Sequence, residues 1–428
     1  MAALRCFGSA DKGLSGGVAR LVTERCGYAP RSRLAIRPKP LSRGLSLFMR
    51  QLLKTLYFVA GEASGDEHGA ALMRALRELH PELKLVGRGG PRMKAIAGHS
   101  FTDWSDEAAV VGLWEVVKRY GYFRRQFRDT LDEVAKTQPD AVIFIDYPGF
   151  NLRLARALRG RGGSRKLIYY ISPQVWAWNR SRISHMARWL DLMLCIFPFE
   201  AELYNKSGLR TLFVGHPMIE NLAGRMTGEM RDPNLVGIFP GSRLREVRKI
   251  LPVMIAVAKR IKQRQPVVFF EIAAASQPLA LEIEQALLDE PSLRPRVTIT
   301  IGEASATMQR AAVGMIASGT ATLEAAYFRL PFVLIYKVAW LTYVAARAVV
   351  KVDHLGMPNV LAGREIAPEF IQHRASPPRI AEAVMKLMND ETQRQLMTSE
   401  FDAVMSKLGE GGASVRAAEA ILQEVNAS

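Results

Sequence analysis

Along this chain, short apolar runs alternate with segments whose apolar positions recur every three or four residues. Residues 56–60 (LYFVA) read as a strand, GEASGDEHG as a turn, and Ala70, Ala71, Leu72, Ala75, Leu76 and Leu79 follow at helical spacing. Pro81 closes that helix and 83–86 begins the next strand. Strands are predicted at 142–145 and 167–171, with a helix over 152–158 between them, then at 193–196 and 212–214. The order then restarts. Residues 235–239 form a strand, PGSRLREV a turn and 248–264 a long helix, followed by strands at 267–273, 297–301, 313–317 and 332–336. Strands alternating with helices predict a parallel sheet covered on both faces. Two such series predict an α/β chain of two Rossmann-like domains, 49–215 and 216–395, facing a central cleft. VGHPMIENL (214–222) is the expected joint, and helices over 396–428 are expected to pack back on the N-terminal domain.

Composition narrows the class. At 428 residues and 49% hydrophobic content the chain can bury substantial cores, and 23% charged residues argue against widespread disorder. Cys6, Cys26 and Cys195 are scattered, which argues against a disulfide framework and a zinc site. The net charge is +17, unevenly spread. Residues 1–48 carry nine Lys/Arg against two acids, are rich in Ser and Gly, and lack a signal-peptide apolar region. They are expected to be a disordered or non-native extension, with an organellar presequence as the alternative. No nucleic-acid motif accompanies the positive charge, so an anionic membrane surface or a phosphorylated ligand is the expected partner rather than nucleic acid.

The candidate chemistry lies where strands end. AVIFIDYPGFN (141–151) is a buried strand closing on Asp146 and a Pro-Gly turn. Ligands of open α/β sheets bind outside the carboxyl ends of strands, so Asp146 is a candidate general base, against the plainer reading of a capping Asp. His216 and His68 are rival bases, although a lone His is more often structural. AGEASGD (60–66) places Glu62, Ser64 and Asp66 at the first strand's end, with Glu62 as the catalytic candidate and a helix cap as the alternative. In FPGSRLREV (239–247), Gly241, Ser242 and Arg243 suit a phosphate, or form only a capped Gly turn. ASGTATLEAAYFRLP (317–331) repeats the pattern with Ser318, Gly319 and Thr320, and Glu324 is placed for ribose hydroxyls. Neither turn is a Walker A loop or G-x-G-x-x-G, and no metal-ligand motif or cofactor signature is present.

Two basic aromatic stretches remain. Residues 169–191 combine Trp176, Trp178 and Trp189 with Arg180, Arg182 and Arg188, reading as a floor for a sugar or anionic acceptor, or as aromatic packing under a solvated helix. Residues 110–128 combine Trp114 with Lys118, Arg119, Arg124, Arg125 and Arg128, as in a helix lying in a membrane interface or simply on the core. A second apolar stretch, 332–350, is interrupted by Lys337 and Arg347, so neither is read as a span.

AGEASGD, GGPRM, DYPGFNLRLA, YYISPQVWAW, FVGHPM, FPGSR, ASGTATLE and MPNVLAGRE occur in this order from about residue 55 to beyond 365. Together they resemble the lipid-A-disaccharide synthases, bacterial glycosyltransferases of family 19. The resemblance implies a GT-B fold whose second domain holds a UDP-sugar. It implies inverting, metal-independent transfer from UDP-2,3-diacylglucosamine to 2,3-diacylglucosamine 1-phosphate, without a cofactor, at the inner face of the bacterial inner membrane. It matches Asp146 to the family's catalytic aspartate, and Glu62, Arg243, Glu324 and Asn359 to functional positions. Trp114, Lys118, Arg119, Arg124, Arg125 and Trp176 are the expected acceptor or membrane contacts. A homodimer is compatible with this reading. Family members can carry a second acid in DxPDFN, where this chain has Gly149. The alternatives are another GT-B UDP-sugar enzyme, such as a 2-epimerase, and a non-catalytic anionic-lipid-binding protein.

Overall fold

The structure is a computed structural model that describes residues 54–105, 120–178, 180–338 and 353–427. Among these residues, β1 (Thr55–Ala60), β2 (Lys84–Gly89), β3 (Phe101–Asp103), β4 (Ala141–Ile145), β5 (Lys166–Tyr170), β6 (Leu192–Cys195) and β7 (Thr211–Phe213) form one sheet in the order β3-β2-β1-β4-β5-β6-β7. Every pairing in it is parallel. A second parallel sheet has the order β10-β9-β8-β11-β12-β13. Its strands are β8 (Asp232–Phe239), β9 (Phe269–Ala274), β10 (Val297–Ile301), β11 (Ala311–Ala317), β12 (Phe332–Tyr336) and β13 (Glu369–Ile371).

The two-residue period of a strand divides the first sheet's core into two faces. Leu56, Phe58, Ile143, Ile145 and Ile168 point into one cluster, while Tyr57, Val59, Val142, Phe144 and Leu167 point into the other. The first face is covered by α1 (Ala63–Leu79), through Leu72, Met73 and Leu76. The second is covered by α3 (Tyr120–Thr137) and α4 (Pro148–Gly160), which contribute Leu131, Val134, Leu154 and Leu158. Helix α2 (Pro91–Ala97) follows β2, and α5 (Arg182–Trp189) and α6 (Pro198–Asn205) flank β6. Helix α7 (Pro217–Ala223) leads into the second sheet. There α8 (Leu244–Arg264) follows β8 and α9 (Ala321–Tyr327) follows β11. The last helix, α10 (Ala413–Asn426), returns to the first sheet and sets Ala417, Ala418, Ile421 and Val425 into the same cluster as Leu56 and Phe58.

Two local expectations need correction. Helix α1 begins at Ala63, so most of GEASGDEHG is helix rather than turn. Gly65 and Gly69 hide that start from a pattern of apolar residues. A Cβ on Gly69 would lie 2.5 Å from Met93 Sδ and 2.9 Å from Ile145 Cδ1, so the helix packs by its backbone. Strands β3 and β13 were not foreseen, because three-residue edge strands have no readable period. The stretch 110–128 is described only from Tyr120 and the stretch 332–350 only to Val338. Trp114, Lys118 and Arg119 therefore lie outside the described residues, as does the 1–48 extension. No helix among the described residues is long and apolar enough to cross a membrane.

Candidate active site

Strands β1 and β4 are neighbours, with Ala60 opposite Ile145. They mark the point where the first sheet's strand order reverses, the usual place for a ligand crevice. The turn after β4 is unusual. Asp146 and Tyr147 both have positive φ, 46° and 50°, a region that costs a non-glycine residue energy. Several bonds hold it there. The Asp146 N–H donates to the Tyr170 carbonyl (3.0 Å). Its own carbonyl accepts from Asn151 Nδ2 (2.7 Å) and the Tyr169 hydroxyl (2.5 Å). Asn151 is fully buried and also donates to Val59 and Ile145 carbonyls, tying the two strand ends together. Tyr147 packs edge-on to Trp104 and beside Phe150, and a Cβ on Gly61 would strike its ring at 2.4 Å. Glycine at 61 is what lets the two turns meet.

This backbone carries a carboxylate of altered acidity. Burial, and then the charge of Glu62, push the Asp146 carboxyl up to about 6. The same two causes push the Tyr147 hydroxyl up to about 12. Glu62 is the exposed N-cap residue of α1, without a side-chain cap bond. Such an aspartate divides between its two forms near neutrality and can take a proton from an alcohol. Asp66, by contrast, is 3% exposed and accepts from the N–H groups of Gly90, Arg92 and Met93, so it caps α2. Gly149 is exposed, and a Cβ there would touch nothing within 4 Å, so space does not explain the missing second acid.

The second sheet reverses its order between β8 and β11. The turns after these strands therefore lie side by side. Gly241, at φ 107°, would bring a Cβ within 3.8 Å of Ala317. Ser242 and Arg243 are exposed, and Arg243 heads α8 with only a surface ion pair to Glu246 at 3.1 Å. Gly319 and Thr320 are exposed beside it, while the Ser318 N–H is already bonded to the Ile335 carbonyl. Glu324 is half-buried, and burial raises its carboxyl against the opposing pull of Arg225. Among the described residues no three His, Cys, Asp or Glu side chains gather into a metal-binding group.

Other expected contacts have different surroundings. Asn359 is 1% exposed and its amide is filled: Nδ2 donates to Ala367 and Glu369, and Oδ1 accepts from Ile366 and Ala367. It pins a loop and has no group left for a donor sugar. Trp176 is 5% exposed, with Nε1 on Glu200 at 2.8 Å, so it is packing rather than an open floor. Glu200, which no sequence signal singled out, also accepts from Ser172, and burial pushes it up to about 7. Arg124 and Arg125 are exposed on α3, whose Phe123 and Phe127 pack on the core. His216 caps α7 by accepting from the Met218 N–H, and burial followed by nearby His68 lowers it to about 4.

Two nucleotide-type sheets with paired turns at both reversal points define a class, and solved structures share it. The chain aligns with an Acinetobacter baumannii MurG (TM-score 0.52, 14% identity, 86% of this chain and 99% of that one). It also aligns with a Neisseria meningitidis UDP-GlcNAc 2-epimerase (TM-score 0.55, 12% identity, 87% and 99%). These likenesses identify a GT-B fold. The family model described as lipid-A-disaccharide synthetase matches residues 56–425. A lipid-A-disaccharide synthase of Geobacter sulfurreducens is 39% identical over 376 residues, covering 86% of this chain and 96% of its own. One of Coxiella burnetii is 36% identical over 378 residues, covering 86% and 98%. The chain belongs to the lipid-A-disaccharide synthetase family of glycosyltransferases.

Proposed function

We propose that this enzyme transfers the sugar of UDP-2,3-diacylglucosamine to the 6-hydroxyl of 2,3-diacylglucosamine 1-phosphate. Asp146 takes the hydroxyl proton as the oxygen attacks the donor's anomeric carbon from the face opposite UDP. The new C–O bond forms as the bond to the diphosphate breaks, and UDP leaves with the electron pair, inverting the centre. The charge that develops falls to Arg243 and to the backbone N–H and hydroxyl groups of the turns at Gly241 and Gly319, without a metal ion. Arg124 and Arg125 meet an anionic bilayer surface, where both acylated substrates reside.

The observation that carries this reading is the Asp146 turn: an ionisable group near its midpoint, on a strained backbone, at a sheet's reversal point. The test uses purified full-length protein, both lipid substrates and a chelator. Asp146→Asn is expected to lose about 100-fold or more in turnover, with UDP affinity within a fewfold. Arg243→Ala is expected to weaken UDP binding about tenfold. Near-parental turnover of Asp146→Asn would remove that residue from the reaction. UDP release from the donor alone, without disaccharide, would favour an epimerase-type activity.

A further inference from the structure

Helix α4 presents Gly149, Leu152, Arg153 and Arg156 on one face, at the i, i+3, i+4, i+7 spacing of a helical stripe. Helix α5 presents Arg182, His185, Arg188 and Trp189, at i, i+3, i+6 and i+7. Between the two stripes lies a cavity of about 600 Å³, walled on one side by Pro148 and Gly149 of the Asp146 turn. Four arginines line it and no carboxylate does. Among the described residues, Arg153, Arg156 and Arg188 have no hydrogen-bond or ion-pair partner for their guanidinium groups. Arg159, one turn beyond Arg156, is engaged by Asp191 and the Trp189 carbonyl. Arg182, the fourth arginine of the lining, does have a partner. His185 stacks on Trp189 at 5.8 Å and closes its aromatic wall.

Like charges gathered in a concavity repel one another and concentrate anions. Guanidinium forks match phosphate oxygens two at a time. A cavity of this size holds a sugar-sized ligand. We propose that the cavity is the seat of the acceptor's phosphate monoester, placing the acceptor sugar against the Asp146 turn. This rests on the reading of the reaction given above. The anion comes from the acceptor, not from bilayer phospholipid and not from the donor diphosphate, whose turns lie on the second sheet.

The test compares the parent with Arg153→Gln/Arg156→Gln, and with Arg188→Gln as a second variant. Disaccharide formation is measured with the phosphorylated acceptor and with the same acceptor carrying a free 1-hydroxyl. The double variant is expected to lose about 10- to 100-fold in kcat/KM on the phosphorylated acceptor, carried by KM. On the 1-hydroxyl acceptor the loss is expected to be at most a fewfold. Thermal midpoint and UDP affinity serve as checks on folding. Equal losses on the two acceptors, or no loss, would overturn the proposal. So would a loss of sedimentation with phosphatidylglycerol vesicles alongside an unchanged acceptor KM, which would assign the arginines to the membrane. Calorimetric binding of water-soluble glucosamine 1-phosphate reads the cavity without turnover. If the parent makes no disaccharide, the functional reading fails, and arginine-dependent binding of that probe still decides the cavity.

Discussion

Asp146 is kept in a state that the unfolded chain does not share. Folding raises its carboxyl from 3.8 to about 6, by burial first and Glu62 second. The native protein therefore holds this proton more tightly than the unfolded chain. The stability it contributes is full below pH 3.8 and is lost as pH rises through 6. Asparagine neither ionises nor resists positive φ. Asp146→Asn is thus expected to stabilise the protein by roughly 1–3 kcal/mol at pH 7.5 and by much less at pH 3.5. Urea unfolding at the two pH values measures this. An equal gain at both would assign the effect to the backbone, and no gain at pH 7.5 would refute the argument. Glu62→Gln removes a charge that raises Asp146, so the acid limb of kcat/KM is expected to move to lower pH. A stationary limb would disconnect the two carboxylates. The same chemistry that suits Asp146 to proton transfer near neutrality is what destabilises it there.

Among the secondary elements, α7 shows how a histidine can be structural. Its N-cap His216 accepts on Nδ1 from the Met218 N–H, lies against the Phe197 ring, and donates its backbone N–H to the Leu408 carbonyl. Folding lowers the imidazole from 6.5 to about 4. The stability it contributes is full above pH 6.5 and is lost as pH falls through 4. His216→Asn keeps a cap acceptor and deletes the titration. Between pH 7 and pH 4.5 the parent is expected to lose about 1–3 kcal/mol more than the variant. Parallel pH profiles in urea would remove His216 as the cause. The pattern of elements was largely legible in the sequence, because buried parallel strands are near-continuous apolar runs and most of them end in a turn that carries Gly or Pro. The turn after 141–145 was legible as a candidate site for the same reason. What Asn359 and Trp176 do was not, since whether a polar side chain is free depends on partners such as Glu369 and Glu200, which lie on other elements. The arginines of α4 were not singled out in the sequence. Only the packing of α5 opposite them makes a cavity.

For the molecule as a whole, the informative contact is between its last helix and its first sheet, where α10 packs on α1 and β5. Ile421 is fully buried, and Glu424 of α10 pairs with Lys166, which opens β5, and with Arg210, which precedes β7. Lys54 Nζ donates to the Val425 carbonyl at 2.7 Å. Ile421→Ala is expected to cost about 2–5 kcal/mol. Of the 6 tryptophans, all but Trp340 precede residue 190, so tryptophan fluorescence in urea reads the first sheet's unfolding. UDP affinity, which belongs to the second sheet in the reading above, is expected to hold at 25 °C. An unchanged midpoint would show that α10 is not part of the first sheet's core. The closure of that core by α10 also bears on synthesis. Some 350 residues separate β1 from α10, which at 5–20 residues per second is roughly 20–70 s on the ribosome. Through that interval the apolar flank of Leu56 and Phe58 lacks its final cover. The nascent chain therefore completes this face of its first core only after its last helix has emerged.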